Sequence, residues 1–302
     1  MKIQAQESFI ETNGVRLHVL TAGPDDGPLV LLLHGFPDFW YGWANQIPAL
    51  AAAGYRVVVP DQRGYNRSDK PPGIAAYAME HLIGDVAGLI AALGRAQAAA
   101  VVGHDWGGIV TWALGTERPD LAERIAVLNA PHPAAMNDEL RHNPRQLVRS
   151  WYLFAFQIPA LPEALFRANG FRGAQELLVR TSRPGTFPPD KLRHYRRAWA
   201  QPRALTSMLN WYRAAARARG DAAALARPVA VPALLVWGAE DAALVPELAA
   251  ASIAYCPQGR LAQLPEAGHW VQAEAPAAVN RLLLDWLAAP PQSSASTPAG
   301  NS

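Results

Sequence analysis

The chain has 302 residues, half of them apolar, a single cysteine and a formal net charge of +2. Such a length and composition can bury one large core with an inserted segment, and they exclude a disordered chain, an internal disulfide and a cysteine-rich metal site. The net charge gives no reason to expect nucleic acid, although it is unevenly spread: residues 132–220 hold 15 Lys/Arg against 5 Asp/Glu. A solvated, arginine-rich helical surface is the simpler reading of that segment, and acidic substrates are the other.

In chain order, the opening "MKIQAQESFIETNG" lacks the apolar core of a secretion signal. No later run approaches the roughly 18 apolar residues of a membrane span, so a soluble, cytoplasmic protein is expected. "PLVLLLHGF" (28–36), "YRVVVPD" (55–61), "AAAVVGHD" (98–105) and "IAVLNAP" (125–131) are near-continuous apolar runs, the composition of strands buried on both faces. Between them, "AYAMEHLIGDVAGLIAALG" has apolar residues at helical spacing and stops at Gly94. This alternation predicts a mostly parallel central sheet built from right-handed βαβ units and flanked by helices. After residue 132, Arg, Trp, Tyr and Phe crowd into helical-looking segments. No strand returns until "PALLVWGAED" (232–241), followed by "GRLAQLPEAGH" and the helical "APAAVNRLLLDWLA". The expected organisation is an α/β core over 1–131 and 226–289, a helical cap over 132–225 inserted after the sixth strand, and a disordered tail over 290–302 rich in Pro, Ser, Ala and Gly. Cys256, closing an apolar stretch, reads as a packed residue.

Ligands of open α/β sheets bind beyond the carboxyl ends of the strands, where polar residues of distant segments can meet. One such end is "GHDWGG" (103–108), a glycine-flanked strand-to-helix elbow of the kind that displays a nucleophile, here Asp105. An elbow nucleophile needs a histidine base and an acid to orient it, in the chain order nucleophile, acid, histidine. Asp105, Asp241 of "WGAED" and His269 of "EAGHW" stand in that order. The plainer alternatives are an N-cap for Asp105 ahead of "WGGIVTWAL", a turn residue for Asp241 and a satisfied loop histidine for His269, a part that His34, His104 and His132 fill more naturally. Asn129 ends an earlier strand where an acid could also stand, but it is an amide. The turn "HGFPDFWYGW" (34–43) can expose the N–H of Phe36 beside that of Trp106 as an oxyanion hole, with Pro37 a candidate cis proline.

Taken together, "HGFPDFWYGW", "DQRGYNRSDKP", "GHDWGG", "VLNAPHP", "WGAED" and "GHW" resemble the soluble epoxide hydrolase branch of the α/β-hydrolase superfamily, across nearly all of residues 8–288. The resemblance implies the α/β-hydrolase fold and a reaction that turns hydrophobic epoxides into vicinal diols. Serine attacking an sp³ carbon would leave an inert ether, whereas aspartate, anionic without a base, leaves a carboxylic ester that water opens at its carbonyl. Asp105 is then the nucleophile, with His269 activating the water and Asp241 holding the imidazole. Tyr152 in "SWYLFAFQIP" and Tyr212 in "SMLNWYRAAAR" are similar to the segments from which epoxide hydrolases supply paired hydroxyls to the ring oxygen; packing of either ring with an exposed hydroxyl is the alternative. Haloalkane and haloacid dehalogenases share the aspartate nucleophile. The first typically carry Asn where Phe36 stands, and fluoroacetate dehalogenases resemble "DRGG" where this chain continues with Trp106. A noncatalytic small-ligand binder on the same fold predicts a broken constellation, and here every part is present.

An apolar wall of Pro37, Trp40, Trp151, Phe154, Phe156, Met208, Leu209 and Trp270 is expected around the substrate. No cofactor or metal is implied, since the histidines lack ligand spacing. The expected partners are a small hydrophobic epoxide and water, with monomer and homodimer both open.

Overall fold

The computed structural model describes residues 4–218 and 226–289. Its eight strands are β1 (Gln6–Thr12), β2 (Val15–Ala22), β3 (Leu29–Leu33), β4 (Arg56–Pro60), β5 (Ala100–His104), β6 (Ile125–Leu128), β7 (Ala233–Gly238) and β8 (Gly259–Leu264). They form one sheet in the order β1-β2-β4-β3-β5-β6-β7-β8. The pairs β1–β2 and β2–β4 are antiparallel, and every other neighbouring pair is parallel. The apolar runs of the sequence become the strands from β3 onward, each ending at least one residue before its quoted stretch does. The β1–β2 hairpin supplies the two strands ahead of β3 that no apolar run marks. Its two-residue turn is Asn13 and Gly14, both at positive φ (46° and 74°), as a two-residue turn that continues the strands' twist requires.

The helices are α1 (Gln46–Ala52), α2 (Met79–Ala92), α3 (Trp106–Glu117), α4 (Pro133–His142), α5 (Pro144–Arg149), α6 (Trp151–Ala155), α7 (Leu161–Arg180), α8 (Pro189–Trp199), α9 (Ala204–Arg217), α10 (Glu247–Ile253), α11 (Val271–Glu274) and α12 (Pro276–Ala288). Alternation along the strands divides the apolar residues between two cores. Val30, Leu32, Val57, Val59 and Val102 pack with α1 and α12. Leu31, Leu33, Val58, Val101 and Val127 pack with α2, α3 and α10 on the opposite face. A register slip of one residue would exchange the two cores, so the pairing is strongly specified. The central strands are wholly buried, while β8 and most of β1, at the edges, are not. Helix α2 stops where the sequence predicts: Gly94 turns to φ 74°, its N–H bonds the Ala91 carbonyl at 2.9 Å, and the Arg95 N–H reaches Ile90.

Between β6 and β7 the described residues hold six helices and no strand. Helix α7 is broken at residues 168–171, where Asn169, Gly170 and Phe171 all have positive φ. A buried ion pair, Arg213 Nη1 to Glu163 Oε1 at 2.8 Å, ties α9 to the start of α7, and Arg213 Nε also donates to the Phe156 carbonyl at 3.0 Å. Residues 219–225, the end of the expected cap, and the expected tail over 290–302 lie outside the described residues. Among the described residues no helix is long and apolar enough to cross a membrane.

Candidate active site

Strand β5 ends at His104 and α3 begins at Trp106, so Asp105 alone absorbs the change of direction, at φ 51° and ψ −121°. A non-glycine residue held there stores strain of roughly 1–3 kcal/mol, which the surroundings must offset. The elbow closes only because its glycines have no side chain: a Cβ on Gly103 would strike the Gly107 carbonyl. Asp105 stands at the N-cap position of α3, but its carboxylate makes no capping bond there. It faces the turn of residues 34–37 instead. The Phe36 N–H donates to Oδ1 at 2.6 Å, the Trp106 N–H also bonds the carboxylate, and the Phe36–Pro37 peptide is cis.

His269 follows β8 and Asp241 follows β7, neighbouring strands whose carboxyl ends lie side by side. His269 Nδ1 donates to Asp241 Oδ2 at 2.8 Å, and its Nε2 stands 3.8 Å from Asp105 Oδ2. Asp241 is also the turn residue of its alternative reading, since Oδ1 accepts the N–H groups of Ala243 (2.8 Å) and Leu244 (3.0 Å). Its fourth partner is Asn129, whose amide donates to Oδ2 at 2.8 Å. Burial opposes the charge of Asp241, but His269 and these donors outweigh it and hold the carboxyl below its usual range. Burial also works against a charged His269; the carboxylates of Asp241 and Asp105 reverse this and raise it to about 9. Asp105 is raised by burial and pulled back by His269 and by the Phe36 and Trp106 N–H groups.

His34, His104 and His132 fill structural roles. His104, pushed down to about 3 by burial and by the neighbouring His269, donates from Nε2 to the His269 carbonyl at 2.8 Å. His34, lowered to about 4 by burial, accepts the Gln62 N–H at Nε2. His132 accepts the Ala134 N–H at the start of α4 and stacks on Tyr255. Cys256 is buried, as expected.

Tyr152 of α6 and Tyr212 of α9 meet edge to face, 6.1 Å between centroids, and both feel the charge of Asp105. Burial raises both phenols above their usual range, so they hold their protons. Tyr212 packs against Phe36 (5.2 Å), Trp106 (5.0 Å) and Phe156 (4.9 Å). Met208 and Leu209 are buried in the same cluster, and Trp270 lies edge-on to His269 at 5.1 Å.

Three expected wall residues are not brought there. Trp151 and Phe154, three residues apart on one side of the single turn of α6, are 67% and 63% exposed, whereas Tyr152 and Phe156, four residues apart, face inward. The Trp40 ring contacts Phe39 and Tyr41 in a short helical turn of its own. The sequence reading also passed over neighbours of the site. Phe166 packs on Phe36 and Phe156, and Tyr65 of "DQRGYNRSDKP" is buried within the field of Asp105. The insertion grips each of the three loops. Arg149 donates to the Asp241 and Leu244 carbonyls, Trp199 to the Pro37 carbonyl and Tyr195 to Asp38, and the Trp270 indole bonds Thr181. Asp38 is pushed up to about 7 by burial.

Residues 28–276 match the family described as alpha/beta hydrolase fold. The chain is 46% identical over 279 residues to the AB hydrolase superfamily protein YfhM of Bacillus subtilis (strain 168), covering 92% of this chain and 96% of that protein. It is 36% identical over 284 residues to epoxide hydrolase 4 of Mus musculus, covering 92% and 78% of the two chains. The crystal structure of Bacillus megaterium epoxide hydrolase in complex with an inhibitor superposes with a TM-score of 0.83 at 30% identity, over 93% of this chain and 99% of that one. The chain belongs to the α/β-hydrolase fold family. Within it, its place is with the epoxide hydrolases, enzymes that act on ether bonds.

Proposed function

We propose that this chain hydrolyses hydrophobic epoxides to vicinal diols through an ester on Asp105. The observation that carries the reading is the division of the Asp105 carboxylate: Oδ1 is held by the Phe36 N–H, and Oδ2 faces His269 close to two protonated tyrosines. Oδ2 attacks a ring carbon, the carbon–oxygen bond breaks, and the departing oxygen takes a proton from Tyr152 or Tyr212. Ester formation removes the Asp105 charge, one of those that raise His269. His269 then sheds its proton, which restores the tyrosine, and becomes a base. It deprotonates a water that attacks Cγ, and the oxyanion that develops on Oδ1 lies against the Phe36 N–H already aimed at it, with the Trp106 N–H as the second donor. Collapse expels the diol, whose oxygen takes a proton from His269, and the re-formed Asp105 carboxylic acid passes its own proton to His269, which restores the starting charges.

A dehalogenase would use the same Asp105, Asp241 and His269 with a free N–H cradle for the halide. The Tyr212 ring stands edge-on to the Trp106 indole at 5.0 Å and keeps its proton, which favours an epoxide oxygen as the group received there. The apolar wall around that oxygen is Phe36, Phe156, Phe166 and Met208, with Asp105 left 21% exposed to an incoming ligand.

The test is His269→Gln mixed with styrene oxide. The protein is expected to gain the mass of one epoxide, on the peptide that contains Asp105, and to release diol far more slowly than the unaltered enzyme. An unmodified Asp105 peptide, under conditions where the unaltered enzyme turns over, would assign the chemistry to another nucleophile.

A further inference from the structure

Nine large apolar side chains stand exposed among the described residues, and seven of them fall within residues 147–165. The most exposed are Val148 (72%), Trp151 (67%), Phe154 (63%) and Leu165 (61%). Val148, Trp151, Phe154, Ile158, Leu161 and Leu165 follow one another at intervals of three and four residues, so α5, α6, the stretch after α6 and the start of α7 each expose apolar side chains. Nothing polar in the segment covers them. Residues 150–162, "SWYLFAFQIPALP", contain no charged side chain. Of the two charges that flank this run, Arg149 is spent on the Asp241 and Leu244 carbonyls and Glu163 on Arg213. An exposed apolar patch of this kind marks an interaction surface.

Charge decides what it meets. The patch is flanked along the chain by the exposed Arg141, Arg145, Arg167 and Arg172, and Arg141 and Arg167 have no ion pair among the described residues. The whole insertion carries 15 Lys/Arg against 5 Asp/Glu over residues 132–220. A two-fold contact between copies would set this basic surface against itself, and like charges so juxtaposed cost several kcal/mol. An anionic bilayer reverses the sign of every such contact: Trp and aliphatic side chains enter the headgroup boundary while the arginines meet lipid phosphates. We propose that residues 147–165 form a peripheral docking surface for an anionic lipid bilayer.

Helix α6 then has two faces with two tasks. Trp151 and Phe154 enter the lipid boundary, and Tyr152 and Phe156 face the site. On the reaction proposed above, an apolar epoxide dissolved in the membrane leaves it beside the helix that carries one of its proton donors. The docking itself does not depend on that reaction, so the two can fail separately.

The full chain is sedimented with vesicles of phosphatidylcholine, with and without phosphatidylglycerol, in the absence of any epoxide. Binding is expected to the mixed vesicles, weaker by about tenfold or more on phosphatidylcholine alone and in raised salt. Val148→Glu combined with Leu165→Glu is expected to weaken partition by about tenfold or more, with unchanged melting and unchanged turnover of a water-soluble epoxide. In the unaltered fold, brominated lipid is expected to quench tryptophan fluorescence, and Trp151→Phe to remove most of that quenching. Failure of the unaltered protein to bind either vesicle overturns the proposal, as does undiminished binding of the double variant. So does a concentration-dependent dimer that the double variant dissolves, which would make a second copy the occupant.

Discussion

Asp105, Asp241 and His269 leave the ends of β5, β7 and β8, whereas Tyr152 and Tyr212 come from α6 and α9 of the helical insertion. The first three are fixed by parallel ladders whose register cannot slip without exchanging two cores. The tyrosines have no ladder. Ring packing sets their positions, Tyr212 against Phe36, Trp106 and Phe156 and Tyr152 against Phe156 and Tyr212, within an apolar cluster that the insertion shares with one face of the sheet. On the proposed reaction the part held by strand register makes and breaks the ester, and the part held by side-chain packing receives the substrate's oxygen. The nucleophile needs placement to a fraction of an ångström, while substrates of different shape need a donor that can shift with them.

That division can be broken or sharpened by substitution. The largest effect is expected from Asp105→Ala, which should lower styrene oxide turnover by about 10⁴-fold or more; activity within tenfold of the unaltered enzyme would remove the core from the chemistry altogether. Next come Tyr152→Phe and Tyr212→Phe. Each is expected to slow ring opening by about 10–100-fold, and the pair by more, with no effect on an ester already formed. Single-turnover kinetics separate the steps, and equal slowing of both would erase the distinction between the two regions.

Ester hydrolysis should rise with pH, because only neutral His269 can accept a proton from water. Asp241→Asn removes the largest influence raising His269, so the rising limb should move to lower pH. The same group acts on stability. Its folded value of about 9 lies above the ordinary 6.5, so its stabilisation is complete below about pH 6.5 and is lost as pH rises through about 9. Chemical denaturation across that window should show the loss in the unaltered chain, and a flat profile in His269→Gln. The smallest effect is expected from Trp199→Phe, which deletes the bond to the Pro37 carbonyl and should cost about 1 kcal/mol in unfolding free energy.

The core was legible because its signals are local. A doubly buried strand must be apolar at every position, so β3 to β7 announce themselves, and the elbow must have glycine at 103 and 107. The order of Asp105, Asp241 and His269 then needs only the topology. The insertion was legible in kind but not in detail. Trp151, Tyr152, Phe154 and Phe156 are all aromatic, and which of them face inward depends on where a one-turn helix begins, a matter of one residue. Phe166 was missed because its role is purely tertiary. Asn129 was noticed only as an amide where an acid could stand. Its use as a donor to Asp241 follows from the neighbouring ends of β6 and β7, which no stretch of sequence displays. The Asn13–Gly14 turn, by contrast, was there to be read.

The two oxygens of Asp105 are chemically alike, yet on this scheme they have very different lifetimes. The one held by the Phe36 amide persists through every cycle, while its neighbour leaves with each diol and is replaced from solvent. A single atom of the polypeptide is thus a consumable part, renewed as often as the enzyme turns over.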